Sequence, residues 1–197
     1  FNNDGRPDIA MVNLKNGLVP SVPASVPSIR VLMNDGAGNF KTNEQIMPER
    51  ANPQSGFGTY SLDVGDFNKD GRLDIFVINW GLGGAEERDG VLLNIGSGNQ
   101  LFPGGASGIA YPIGNEVEDD DGDHPSAADF DGDGDMDVVV AQFAARPYFL
   151  INSNGTLVDE TATRLPARDE PSLFGQVADF AVGRPLDIAL VNLQNGL

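Results

Sequence analysis

The stretch DFDGDGDMDVVVA, residues 129–141, places five aspartates in the nine positions 129–137 and then passes directly into valine and alanine. Acids at alternating positions of a tight turn converge on one point, with glycine allowing the sharp bend. A β-branched run immediately after such a turn reads as a strand. Three further segments align with it: FNNDGRPDIAMVN (1–13), DFNKDGRLDIFVIN (66–79) and DFAVGRPLDIALVN (179–192). Their phenylalanines, Phe1, Phe67, Phe130 and Phe180, fall 66, 63 and 50 residues apart. Residues 180–197 also re-read residues 1–18, so the chain starts and stops at one phase of an internal repeat.

Two other elements keep the same phase. Val31 to Asn34 is followed by DGAGNF, Val91 to Asn94 by IGSGNQLF, and Tyr148 to Asn152 by SNGTL. Each is a short apolar run ending in Asn/Gly turn chemistry, the signature of a β-hairpin. Ahead of each Asp-Phe lies a run of small or β-branched residues: Ser61 to Gly65, Ser126 to Ala128 and Phe174 to Ala178. The runs after the acidic loops, Ile75 to Ile78 and Val138 to Ala141, are apolar throughout, as expected where both faces of a sheet are covered. Each period thus carries about four short strands and no convincing helix, which predicts an all-β chain of propeller blades. A sandwich would not repeat its loop chemistry at a fixed phase.

The repeated Asp-Phe-Asx-x-Asp-Gly-x-x-Asp loop and Asn-x-Gly-x-Gly-x-Phe turn resemble the FG-GAP/VCBS repeats of integrin α-chain propellers and of many bacterial secreted proteins. The resemblance runs over nearly the whole chain. It implies blades of four antiparallel strands, in which an innermost strand leads into a calcium loop and then into the second strand. Such propellers usually have seven blades, so the chain is expected to hold about three and to need the remaining blades to close a ring. On this reading residues 1–58 are a partial blade that starts inside its loop. Residues 59–123 are a blade with loop 66–74, residues 124–173 one with loop 129–137, and residues 174–197 begin a further blade with a degenerate loop.

Calcium takes six to eight oxygen ligands, and the loops supply them. Loop 129–137 offers Asp129, Asp131, Asp133 and Asp137, the bend at Gly134 and the Asp135 carbonyl. Loop 66–74 offers Asp66, Asn68, Asp70 and Asp74, with Gly71 and the Arg72 carbonyl. The first loop offers Asn2, Asp4 and Asp8, with Gly5 and the Arg6 carbonyl, and wants an Asp just upstream of Phe1. The fourth copy has Ala181 and Gly183 where ligands three and five belong and keeps only Asp179 and Asp187, so no more than very weak binding is expected there. Two carboxylates about 4 Å apart repel by roughly 4 kcal/mol at an effective dielectric near 20, which argues for a counter-charge. An EF-hand would need Glu at position 12, where Val77 and Val140 stand. The plainer alternative is that the acids merely form Asx-turns in exposed hairpins.

Composition sets outer limits. A formal charge of −17 opposes binding to nucleic acid, which needs a basic surface. No run of 18 apolar residues spans a membrane, and cysteine is absent, so neither disulfides nor thiolate metal sites arise. The chain begins at Phe1 without a signal-peptide pattern and reads as a mature or excised fragment. The acidic run Glu116 to Asp123 ahead of His124 reads as a solvated loop, with a further metal site as the alternative. His124 reads as a turn or strand-edge residue, and Trp80 as packing between blades or anchoring a ligand. Pro20 to Ser28 reads as an extended surface loop, and Asn154-Gly155-Thr156 as a hairpin turn that also matches a glycosylation sequon.

No nucleophile elbow, zinc-binding His pair or phosphate loop is present. The expected function is a secreted or cell-surface calcium-binding module that engages an extracellular protein or carbohydrate ligand without catalysis. The alternative is the propeller portion of a secreted polysaccharide-degrading, lyase-like enzyme, whose base would come from Tyr60, Tyr111, Tyr148, a His or a Lys.

Overall fold

A computed structural model describes residues 1–12, 29–43, 59–79, 89–96, 101–102, 122–142, 146–167, 172–180 and 186–192. These residues form strands β1 (Ile9–Val12), β2 (Ile29–Asn34), β3 (Phe40–Asn43), β4 (Thr59–Gly65), β5 (Asp74–Asn79), β6 (Gly90–Leu92), β7 (Gly122–Ala128), β8 (Asp137–Gln142), β9 (Tyr148–Asn152) and β10 (Leu157–Asp159). A single helical turn, α1 (Thr161–Arg164), precedes β11 (Ser172–Ala178) and β12 (Asp187–Asn192). It is the one helical element among the described residues, and the sequence did not suggest it. Four residues without a buried side chain give it no periodicity to read.

The strands sort into four antiparallel sheets in chain order: β1-β2-β3, β4-β5-β6, β7-β8-β9-β10 and β11-β12. The third has all four strands of a blade. The strand preceding each acidic loop packs against its counterpart in the next sheet, β4 beside β7 and β7 beside β11. The strand following each loop touches the leading strand of the sheet after it: β1 meets β4, β5 meets β7 and β8 meets β11. The same offset at every joint is what consecutive blades around a common axis require.

The core lies between sheets, which explains the uninterrupted apolar runs. Side chains alternate across a strand, so β5 sends Ile75 and Val77 toward Ile29 and Val31 of the first sheet. Its Phe76 and Ile78 join Val138, Val140, Tyr148 and Leu150 of the third. In the same way β8 divides, with Val139 joining Phe149 and Ile151 in a cluster that reaches Val177 and Ile188 of the fourth sheet. Every loop phenylalanine but the last plugs one joint. Phe1 packs with the cluster between the first two sheets, Phe67 with the second joint and Phe130 with the third.

The innermost strands run further than their apolar stretches. β4, β7 and β11 each begin ahead of the small-residue runs and each carries a register shift near its start, at Thr59/Ser61, Gly122/His124 and Ser172/Phe174. A bulge breaks the period-two alternation that marks a strand in sequence, so the leading residues looked like loop.

Candidate metal centres

Each acidic loop is a run of Asx-type turns in which carboxylates collect backbone N–H groups. In loop 129–137, Asp129 accepts from Gly132 N at 2.8 Å and Gly134 N at 3.0 Å, and Asp133 accepts from Asp135 N at 2.8 Å. In loop 66–74, Asp66 accepts from Asp70 N at 3.0 Å and Gly71 N at 2.8 Å. The chain can bend this tightly because position 6 is glycine with positive φ, 81° at Gly71 and 87° at Gly134.

The last aspartate of the loop does a different job. Asp74 accepts Phe67 N on one oxygen at 3.0 Å and Asn94 N on the other at 2.8 Å. Asp137 does the same with Phe130 N at 2.9 Å and Asn152 N at 2.8 Å, and Asp8 accepts from the terminal amine of Phe1 at 2.7 Å and from Asn34 N at 2.9 Å. Asp187 keeps the first of these bonds, accepting from Phe180 N at 3.2 Å. The carboxylate therefore ties the loop's start to the neighbouring hairpin. Asp74 and Asp137 are fully buried. Burial, reinforced by neighbouring loop carboxylates, pushes the Asp74 carboxyl up to about 6 against the pull of its two N–H donors. Asp137 is raised for the same reasons.

An asparagine at the end of the strand, or two residues past it, completes the tie in β9 and β6. Asn152 Nδ2 donates to Met136 O at 3.2 Å within its own sheet and to Phe67 O at 2.9 Å in the preceding one. Asn94 Nδ2 donates in the same pattern, to Leu73 O at 3.1 Å and Phe1 O at 2.9 Å. Their Oδ1 atoms accept from Gly155 N and Gly96 N. Sequence reading took these asparagines only as turn residues. The signal that marks them is their recurrence at one position, Asn34, Asn94 and Asn152, where a turn alone would accept several residue types.

Among the described residues, Asp129, Asp131 and Asp137 form the cluster able to hold a metal ion, each offering an oxygen within 4.8 Å of the others. Asp133, expected as a fourth ligand, instead faces the backbone N–H of Asp135. The donor set is all hard oxygen, with no histidine or sulfur, which suits an alkaline-earth cation over a transition metal. The other two loops do not bring their carboxylates together in this way. Arg72 pairs with Asp70 and donates through Nε to Asn94 O at 2.6 Å, and Asn68 Nδ2 donates to Asp70 at 2.9 Å. In the first loop Arg6 Nη2 pairs with Asp4 at 2.5 Å, which holds that carboxyl down at about 2. At loop position 7, therefore, Arg6 and Arg72 provide an internal cation.

Position 7 of the third loop is Asp135 instead. Its carboxylate is paired at 2.8 Å with Lys69 of the preceding loop, which also donates to Asp133 O at 3.2 Å. Asp135 raises the Lys69 ammonium above its ordinary value.

Beyond the loops, Asp63 on β4 accepts from Ala127 N of β7 at 2.7 Å and from Val64 N at 2.8 Å. Burial raises its carboxyl, these bonds notwithstanding. His124 lies on β7 beside its bulge, its ring edge-on to Tyr60 of β4 at 6.3 Å. The Tyr148 hydroxyl is buried and donates to Asp89 at 2.7 Å, a structural commitment between two sheets. Asn154 and Gly155 form the β9–β10 turn, with φ of 52° and 85°. Pro20 to Ser28, Trp80, Tyr111, Glu116 to Asp121, Ala181 and Gly183 lie outside the described residues.

The pattern of the FG-GAP-like repeat matches residues 1–77 and 129–181. The chain belongs to the FG-GAP-like repeat family. No curated protein matches it. The family is of propeller type, in agreement with successive antiparallel sheets joined at a constant offset. Among the described residues no helix is long and apolar enough to cross a membrane.

Proposed function

We propose that this FG-GAP-like segment is a calcium-stabilised part of an extracellular β-propeller, and that it presents loops to a protein or glycan ligand without carrying out catalysis. The observation that carries the calcium reading is the convergence of Asp129, Asp131 and Asp137 within 4.8 Å in a loop of all-oxygen donors. Asp133 and the Asp135 carbonyl would complete the set at 129–137, and Asp66, Asn68, Asp70, Asp74 and the Arg72 carbonyl would form the set at 66–74. A bound ion would supply the positive charge that offsets repulsion among these carboxylates.

The residues themselves do the structural work. Asp74 and Asp137 hold the loop to the hairpin, while Gly71 and Gly134 set the bend. Extracellular calcium modules bind at roughly 10⁻⁴–10⁻³ M. With a dissociation constant near ~0.1 mM and ~2 mM free calcium, each site would add about 1.8 kcal/mol. Such affinity suits a calcium-rich compartment outside the cell.

Calorimetric titration of the 197-residue chain with calcium tests this reading. Uptake is expected below millimolar concentration, with most of the 129–137 site lost on Asp133→Ala and uptake unaffected by Asp187→Asn in the degenerate fourth copy. Absence of uptake at millimolar calcium would remove the metal from the proposal.

A further inference from the structure

The exchange of arginine for aspartate at loop position 7 creates an imbalance that the fold corrects from outside the loop. Arg6 and Arg72 neutralise an aspartate of their own loops, Asp4 and Asp70. Loop 129–137 has no basic residue of its own; Arg164 of α1 reaches its Asp131 at 3.5 Å, and its Asp135 side chain is only 4% exposed. A buried carboxylate needs a counter-charge or strong donors. Asp135 receives Lys69 Nζ on Oδ1 at 2.8 Å and Asn154 N on Oδ2 at 3.3 Å.

Lys69 reaches it from position 4 of the preceding loop, where it adopts φ 58°, a left-handed conformation uncommon for a side chain of this kind. Asn3 occupies the same position in the first loop with the same φ, and its Nδ2 donates to Gly71 O of the second loop at 3.2 Å. At both joints, then, the position-4 residue leaves its own loop and fastens the next. Gly132 stands at this position in the third loop, where no side chain can make the reach.

We propose that Lys69 is a tethered counter-cation of the neighbouring loop, which clasps loops 66–74 and 129–137 together and lowers the calcium affinity of 129–137. This rests on the reading of 129–137 as a calcium site. The ammonium sits on Asp133 O and Asp135 Oδ1, inside the field that a divalent ion would share. A unit charge about 8 Å from a divalent ion in a water-like dielectric opposes it by an amount worth about three- to ten-fold in affinity at low salt. Screening shrinks the effect as salt rises. The clasp also keeps the two loops joined when no calcium is present.

Lys69 lies within loop 66–74, so the test uses the 197-residue chain carrying Asp70→Ala, which weakens that loop and leaves 129–137 to report. Calcium titration calorimetry then compares Lys69, Lys69→Met and Lys69→Arg. The Met variant should bind about three- to ten-fold more tightly at low salt, with the difference collapsing near ~0.5 M NaCl, and the Arg variant should stay near the parent. Equal affinity for Lys69 and Lys69→Met, with binding intact, would overturn the tuning role and leave the calcium reading standing. No calcium uptake by the Asp70→Ala parent would overturn both. In chelator, thermal unfolding of Lys69→Met, Asp135→Asn and the double variant reads the clasp directly. Non-additive losses support it, and additive losses reject it.

Discussion

The side-chain amide of Asn152 donates to the backbone carbonyl of Phe67, 85 residues earlier in the chain, at 2.9 Å. The same asparagine gives its backbone N–H to Asp137 and its second amide hydrogen to Met136 O. One fully buried residue thus ties a hairpin to its own acidic loop and to the loop of the preceding blade. Asn152→Ala would leave two carbonyls short of a donor, so the chain should lose about 2–4 kcal/mol of stability. Urea unfolding followed by circular dichroism would measure it. A loss within ~0.5 kcal/mol, the range of an ordinary surface substitution, would show that the joint does not depend on this residue.

Phe67 and Phe180 occupy one position of the repeat but differ in burial, 0% against 60% exposed. Removing the Phe67 ring would open a cavity among Phe76, Val138 and Leu150. Phe67→Ala should therefore cost about 3–5 kcal/mol in the 197-residue chain, and Phe180→Ala less than ~0.5 kcal/mol. Comparable losses in parallel denaturant titrations would contradict the packing described at the second joint.

Acid should stabilise the calcium-free chain before it denatures it. Asp74 has its carboxyl raised to about 6 from 3.8, and Asp137 and Asp63 shift the same way through burial. Such groups favour folding fully below the unfolded value and lose that contribution as pH rises through the folded one. For Asp74 alone this amounts to roughly 2–3 kcal/mol gained between pH 7 and pH 4. Asp4, held down at about 2, acts in the opposite sense below that window. Melting temperatures in chelator should climb from pH 7 to pH 5, with a smaller climb in Asp74→Asn. Saturating calcium should flatten or reverse the trend, because ligands bind as carboxylates.

Gly134 has φ 87°, and a Cβ there would meet only the end of the Lys69 side chain, at 3.8 Å, an ordinary van der Waals contact. Gly134→Ala therefore meets no clash, and its cost is conformational alone, about 1–2 kcal/mol. A melting curve shifted to match, with weaker calcium uptake, is the expected result. An unchanged curve would mean that the loop can relax to another bend.

The blade repeat was legible because a nine-residue loop with alternating acids recurs in phase with two hairpin signals. Residues such as Ile75 to Ile78 announced double-sided burial by having no polar position at all. The loops' ligand arithmetic was less informative about contacts. Asp70 and Asp4 carry the right spacing, yet each is paired with an arginine two residues on. The reach of Lys69 into the next loop depends on how adjacent blades are set beside each other, and no local pattern encodes that. The first halves of β4, β7 and β11 were hidden by bulges, which remove the alternation on which strand reading relies.

The asparagine tie has a consequence for how such a chain can grow or shrink over generations. At the two joints where it is seen, the earlier blade supplies a Phe carbonyl and the later one an Asn amide. Any blade of this pattern can therefore be duplicated or deleted as a cassette, and the new neighbours will still find matching halves. Loops, by contrast, are free to drift singly: the fourth copy has no Asx residue at positions 3 and 5 while its Asp187 still holds Phe180. The last aspartate serves both the tie and the candidate ion site, whereas loop positions 3 and 5 serve the ion site alone, so a lineage can lose a candidate ion site at those two positions without renegotiating its architecture.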